Sequence, residues 1–168
     1  MLSYQVQQLL DGGVDEVIVV LGYKSDEIHR EIRRLKCRVM LNARYHAGRA
    51  GSLRIGARAV DRDAEAIVIL NVDQPCSGEQ VRRLLAAHDS SRAATRPASG
   101  EQHGHPIVVS GWLRPELLEA VEGEQGLRGI LRRHEGEIAD IPADELSFVD
   151  LDTPEEYRQA LERFGLAV

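Results

Sequence analysis

Near the start of the chain the apolar residues Val6, Leu9 and Leu10 recur at helical spacing. They stop at Gly12-Gly13 and give way to an unbroken apolar run from Val17 to Leu21. Spacings of three and four put side chains on one helix face, whereas a short continuous run bounded by turn residues marks a strand covered on both faces. The opening therefore predicts helix, turn and buried strand. The alternation continues downstream. Residues 25–35 predict a helix with Ser25 as its cap and Ile28, Ile32 and Leu35 as its apolar stripe. Residues 38–41 predict a short strand, and residues 52–60 a helix that packs Leu53, Ile55 and Ala59.

A third strand is expected at residues 66–70, at the head of "AIVILNVDQP", and a helix after it in "SGEQVRRLLAAH", with Ser77 as cap and Glu79 or Gln80 in its first turn. The polar segment between His88 and His105 reads as a mobile loop or an edge strand, and it is long enough to act as a lid. Beyond it come an apolar run at 106–109, helices near 115–121 and 126–133, a short strand at 138–141 and a terminal helix from Thr153 to Phe164. Because the strands are continuous apolar runs, helices should cover both sheet faces, which predicts an α/β fold: a three-layer α/β/α sandwich with a mostly parallel sheet. No repeat or linker divides the chain, so residues 1–168 are expected to form a single domain.

Composition narrows the partners. A chain of 168 residues, 43% hydrophobic and 29% charged, can bury one core without disulfide or metal staples. The net charge is −6, and the basic residues are interleaved with acids, so no stripe suited to a phosphate backbone is present and nucleic acid is not an expected partner. Two cysteines, Cys37 and Cys76, without metal spacing suit a reducing compartment, with cytoplasm as the default. No apolar run approaches the roughly 18 residues that a bilayer span requires, so no membrane is expected.

In open parallel sheets, ligands bind outside the carboxyl ends of strands, and Asp73 stands just past such an end. A carboxylate there suits a hard cation whose shell is completed by phosphate oxygens and water; equally, Asp73-Gln74-Pro75 can simply turn the chain into the next helix. The stretch "AGRAGSLRIGA" has two readings as well. Gly48 and Gly51 before Ser52 can bring helix amides to a phosphate or base, or form an ordinary capped loop. His103 and His105 suggest a metal pair or an acid and base, but no partner set for zinc is evident. In "FVDLDTPEEY", Asp150 and Asp152 can join Asp73 at a metal, while Asp152 or Thr153 caps the final helix behind Pro154.

In order, "VIVVLG", Asn42 with Tyr45, "GSLRIGA", "NVDQP", "GHPIVVS", "GLRGILRRH" and "VDLDTPEEY" resemble the MobA-like nucleotidyltransferases, in particular the molybdenum-cofactor cytidylyltransferases and their purine-catabolism relatives. The resemblance covers nearly the whole chain. It implies a Rossmann-like fold of the nucleotide-diphospho-sugar transferase type. It also implies Mg²⁺-dependent transfer of a nucleotidyl group from an NTP to a phosphorylated acceptor such as molybdopterin, with release of pyrophosphate. CTP is the donor it implies first, with GTP or ATP as alternatives. By the same resemblance Asp73 is the catalytic metal aspartate, with Asp150 and Asp152 as further metal contacts. Gly51, Ser52 and Arg54 lie by the nucleotide base and ribose, and Gly104, His105 and Pro106 border the acceptor pocket.

Two departures stand against the family pattern. Its opening strand and loop, L-A-A-G-x-S-x-R-M-G-x-x-K, have no counterpart here, and neither Lys24 nor Lys36 lies in a matching context. That strand is central, so the expected sheet is interrupted, with apolar edges left open or covered by a neighbour such as a second copy in a homodimer. Without the phosphate cradle the expected activity is weak or absent, and a ligand-binding or chaperone-like module is the competing expectation. The second departure is Asn71, where the family has a glycine. A sugar-phosphate nucleotidyltransferase is a third reading, because that superfamily shares the fold and the strand-end aspartate.

Overall fold

The computed structural model describes residues 1–124 and 126–163. Helix α1 (Leu2–Asp11) turns Val6, Leu2, Leu9 and Leu10 toward one apolar cluster and stops at Gly12, whose N–H donates to the Gln8 carbonyl. Gly13, at φ 96°, then redirects the chain through a conformation that residues with a Cβ avoid. Strand β1 (Ile18–Leu21), helix α2 (Ser25–Ile32) and strand β2 (Arg38–Leu41) follow, and β1 and β2 pair in parallel with Ile18 opposite Arg38. The expected cap at Ser25 is displaced: Lys24, at φ 51°, is the capping position and Ser25 is the first helical residue.

Helix α3 (Arg49–Ala59) starts three residues before the expected Ser52 and leads to β3 (Ala66–Ile69). Helix α4 (Gly78–Ala87) is capped as expected, the Ser77 hydroxyl accepting from the Gln80 N–H at 3.1 Å. Then come β4 (Ala94–Ser99), β5 (Gln102–His103), β6 (Ile107–Ser110), α5 (Arg114–Leu118), α6 (Leu127–Arg133), β7 (Ile138–Pro142) and α7 (Pro154–Arg163). A reciprocal box closes the start of α7. The Glu156 N–H donates to Thr153 Oγ1 at 3.2 Å, and the Thr153 N–H to Glu156 Oε2 at 2.8 Å. The expected end of this helix, Phe164, lies outside the described residues.

The fold is α/β with a mixed sheet. β6 runs antiparallel to both β3 and β4, whereas β7 runs parallel to β4. Apolar runs signal burial and carry no direction, so the antiparallel β6 was not readable from them. The segment expected as a loop or edge strand is the interior strand β4, paired with β6, β7 and β5. It tolerates burial because its polar groups are matched. Thr95 Oγ1 lies 3.0 Å from His88 Nδ1, and the Arg96 guanidinium, 7% exposed, donates to Asp140 Oδ1 at 2.8 Å and Glu135 Oε1 at 2.7 Å.

The sheet is interrupted. β1 and β2 form a two-stranded sheet, the other five strands form a second, and among the described residues no ladder joins β1 to β3. The apolar interior is divided in the same way. One cluster gathers Val6, Val17, Val19, Leu21 and Ile32, and a larger one gathers residues such as Ile67, Val109, Leu113 and Ile130. A cavity of about 1930 Å³ runs between the two parts and opens at the carboxyl ends of the strands.

Candidate functional site

At the carboxyl end of β3 the turn 71–74 is fixed from below by α1. The Gln5 amide donates to the carbonyls of Asn71 (3.3 Å), Val72 (2.9 Å) and Gln74 (3.1 Å). The Asn71 side chain, which lines the cavity, donates to Gln74 Oε1 at 3.0 Å. Gln74 in turn donates to Asp150 Oδ1 at 2.7 Å, and the Leu151 N–H donates to the Asp73 carbonyl at 2.9 Å. The loop carrying Asp150 and Asp152 is thus tied to the strand-end turn. Within this network the Asp73 carboxylate is left over: its Oδ1 is buried and has no hydrogen-bond partner. A buried carboxylate oxygen without a donor is costly, and a cation is one group that would satisfy it.

The Asp73, Asp150 and Asp152 carboxylates do not assemble into a ready cage. Among the described residues no group of three or more His, Cys, Asp and Glu side chains comes together in metal-binding geometry. Asp73 therefore fits an ion that brings most of its own shell, as Mg²⁺ does. The two cysteines are free, and burial beside Asp144 pushes the Cys76 thiol up to about 12, which keeps it protonated and unsuited to nucleophilic work.

Gly104, His105 and Pro106 connect β5 to β6 across a cis His105–Pro106 bond. Gly104 serves the backbone: a Cβ there would sit 2.3 Å from the Ser147 carbonyl oxygen, which itself accepts the His105 N–H at 2.8 Å. The half-buried His105 is one of the polar residues lining the cavity. Burial lowers its pKa, Asp150 and Asp73 pull it up, and Arg128 and Arg49 push it down. The ring therefore sits in a field of two carboxylates and two guanidiniums, and the neutral imidazole is favoured. His103, on β5, lines the same cavity, with its Nε2 3.8 Å from Asp140 Oδ2.

The nucleotide trio is divided by α3. Ser52 lines the large cavity and accepts from Asn42 Nδ2 at 3.0 Å, whereas Gly51 and Arg54 line a separate pocket of about 350 Å³. The Arg54 guanidinium donates to the Ala120 carbonyl. Because α3 begins at Arg49, behind Gly48 at φ 105°, its free amides lie earlier than Ser52, and one is already used: the Ala50 N–H donates to Glu122 Oε2 at 2.7 Å. Arg128, Gln5 and Glu122 were missed in the sequence, and Arg49 stood out only as the residue framed by Gly48 and Gly51. Gln5 alone left a local trace, as a polar residue beside Val6 on a helix face that proves buried.

With this geometry in place, comparison with known proteins is informative. Residues 1–138 match the MobA-like NTP transferase domain. Nicotine blue oxidoreductase from Paenarthrobacter nicotinovorans is 30% identical over 163 residues, covering 92% of this chain and 79% of that protein. Among solved structures, Rv0371c from Mycobacterium tuberculosis is 25% identical with a TM-score of 0.79, covering 96% of this chain and 82% of that one. The fold also matches a manganese complex of Rv0371c at 23% identity and a TM-score of 0.79, covering 96% of this chain and 85% of that one.

Proposed function

The chain belongs to the MobA-like NTP transferase family, and from that premise we propose that it transfers a nucleotidyl group, CMP from CTP, to a phosphorylated acceptor such as molybdopterin. The observation that carries the reading is the buried, unpartnered Asp73 oxygen at the carboxyl end of β3. Asp73 would hold Mg²⁺, with Asp150 and Asp152 on the adjoining loop, and the ion would neutralise and orient the NTP phosphates. The acceptor phosphate attacks the α-phosphorus, the bond to the bridging β-phosphate oxygen breaks, and pyrophosphate leaves. Arg49 and Arg128 contribute positive charge beside His105 for the acceptor phosphate, and the neutral ring can hold a hydrogen bond there. Residues 1–168 are read as one domain of this kind, acting in the cytoplasm.

Calorimetric titration with CTP, with and without Mg²⁺, and pyrophosphate release in the presence of molybdopterin test the reading. The Asp73→Ala variant is expected to lose the Mg²⁺-dependent part of nucleotide affinity while melting like the parent. Unchanged Mg²⁺-dependent affinity in that variant removes Asp73 from the site. A different outcome, saturable binding of a pterin or purine-like ligand with no pyrophosphate release, selects a binding module without catalysis. The relative named as a nicotine blue oxidoreductase supplies a third arm, redox turnover of nicotine blue with an added electron donor.

A further inference from the structure

The inner face of α4 buries Val81 and Leu84, and with them a polar residue, Gln80, which is only 3% exposed. A buried primary amide is costly unless both of its ends are matched. In Gln80 the donor end is matched and the acceptor end is not. Nε2 lies 2.9 Å from the His105 carbonyl oxygen, 2.9 Å from Ser147 Oγ and 3.2 Å from Asp144 Oδ1, while Oε1 is buried without a partner among the described residues. An amide nitrogen carries two N–H groups, so one serves His105 and the other is shared between Ser147 and Asp144. Turning the amide over would set its oxygen against a carbonyl and a carboxylate, so the acceptors fix its orientation.

The oxygens that Gln80 gathers belong to two segments, the connection that presents His105 and the loop that leads to Asp150. His105 is held at both of its main-chain polar groups: its N–H donates to the Ser147 carbonyl at 2.8 Å, and its carbonyl accepts from Gln80. Ser147, 2% exposed, is locked in turn by Asp144, whose Oδ1 accepts from Ser147 Oγ at 3.0 Å and from the Ser147 N–H at 3.1 Å. Further along, the same loop reaches the strand-end turn, where Gln74 donates to Asp150 and the Leu151 N–H to the Asp73 carbonyl. One amide on α4 thus sits at the joint between His105 and the loop that reaches Asp73.

We propose that Gln80 is a positioning residue: it fixes the main chain of His105 so that the imidazole meets an anionic, phosphorylated acceptor on the cavity that Arg49 and Arg128 also line. The part given to the acceptor rests on the transfer reaction proposed above; the placement of the ring does not. With the N–H and the carbonyl of His105 both engaged, the side-chain torsions are the freedom that the residue keeps. A reacting group displaced by about 1 Å can cost about 10²-fold in rate, which is what such a clamp prevents. An apolar residue at position 80 would fill the same volume and leave the His105 carbonyl without this donor, so packing alone does not account for the amide.

The test uses the full chain and Gln80→Met, which keeps length and volume and removes the donor. A first readout needs no catalysis: the Cε1–Hε1 correlation spectrum of the histidine rings, in which His105→Ala identifies the His105 signal among the six histidines. In Gln80→Met that signal should shift or split while that of His29, on α2, stays in place. Ser147→Ala is the control, because it removes a side-chain acceptor and keeps both main-chain bonds of His105; it should move the signal far less. An unmoved His105 signal in folded Gln80→Met overturns the proposal, and so does an equal displacement by Ser147→Ala. Where Gln80→Met melts far below the parent, Gln80→Asn, polar but one methylene short of the His105 carbonyl, is read in the same way. The second readout is pyrophosphate release from CTP and Mg²⁺ with molybdopterin. Gln80→Met should lower kcat/KM for the acceptor tenfold or more with KM for CTP unchanged, and the loss should vanish in a His105→Ala background. Losses that multiply in the double variant, or a KM for CTP that rises in step, overturn the proposal. A parent that releases no pyrophosphate removes the transfer reading instead, and the ring signal then decides the positioning.

Discussion

The part of the molecule around β1 and β2 and the part around β6 and β4 start from the same kind of apolar run, yet they end in different environments. β6 has a strand on each edge and all four of its residues are buried. Among the described residues β2 has one neighbour, and it leaves Arg38 and Leu41 exposed. Strand sequence sets which residues want burial; the number of neighbours decides how much of it they obtain. The part with fewer neighbours should therefore tolerate added volume, and the other should not.

Glycines give the sharpest form of that contrast. A Cβ at Gly111, after β6, would lie 1.7 Å from the Ala64 carbonyl oxygen, a backbone atom that cannot swing aside. Gly111→Ala is expected to cost more than about 4 kcal/mol or abolish folding. Gly56→Ala, lining the cavity, should raise stability by about 0.5–1 kcal/mol through helix propensity. Chemical denaturation of both variants checks the pair, and equal effects would erase the contrast.

Cavity-forming changes come next in size. Leu113→Ala, fully buried in the larger cluster, should cost about 2–5 kcal/mol, whereas Val39→Ala, only partly buried beside β1, should cost less than about 1.5 kcal/mol. Urea midpoints at constant slope measure both.

The smallest effect is a pH dependence seated in the larger part. Burial holds the His88 imidazole below its ordinary value against the upward pull of Asp89, while the ring bridges Thr95 Oγ1 and Ser110 Oγ. The unfolded chain takes up this proton more readily, so the contribution is complete above about pH 6.5 and is lost as pH falls through the lower folded value. The melting temperature of the parent should therefore fall more steeply between pH 7 and 5 than that of His88→Gln. Parallel curves would show that another group carries the acid sensitivity.

Much of the local order was legible because it depends on spacing. α1, β1, β2 and α4 with its Ser77 cap follow from apolar periodicity and turn residues, and so does the strand end that carries Asp73. β4 was not legible. Thr95, Arg96 and Pro97 look like loop chemistry, and their burial depends on His88, Glu135 and Asp140, partners that only the folded chain brings near. The same holds at the site. Asp73 announces itself by position, whereas the convergence of Arg49 and Arg128 on His105 comes from α3 and α6, which the sequence places far apart. Gly51 and Arg54 were legible as a motif, but not as lining a different pocket from Ser52, because that depends on which side of α3 each residue faces.

Arg96 does more than survive burial. In the parallel ladder between β4 and β7 it stands directly opposite Asp140. A slip of two residues would set it against Ile138 or Pro142, stranding a desolvated guanidinium without that carboxylate, while every side chain kept its face. The pairing thus works as an index mark. Apolar packing tells β7 which side to turn inward, and one charge tells it where along β4 to stop.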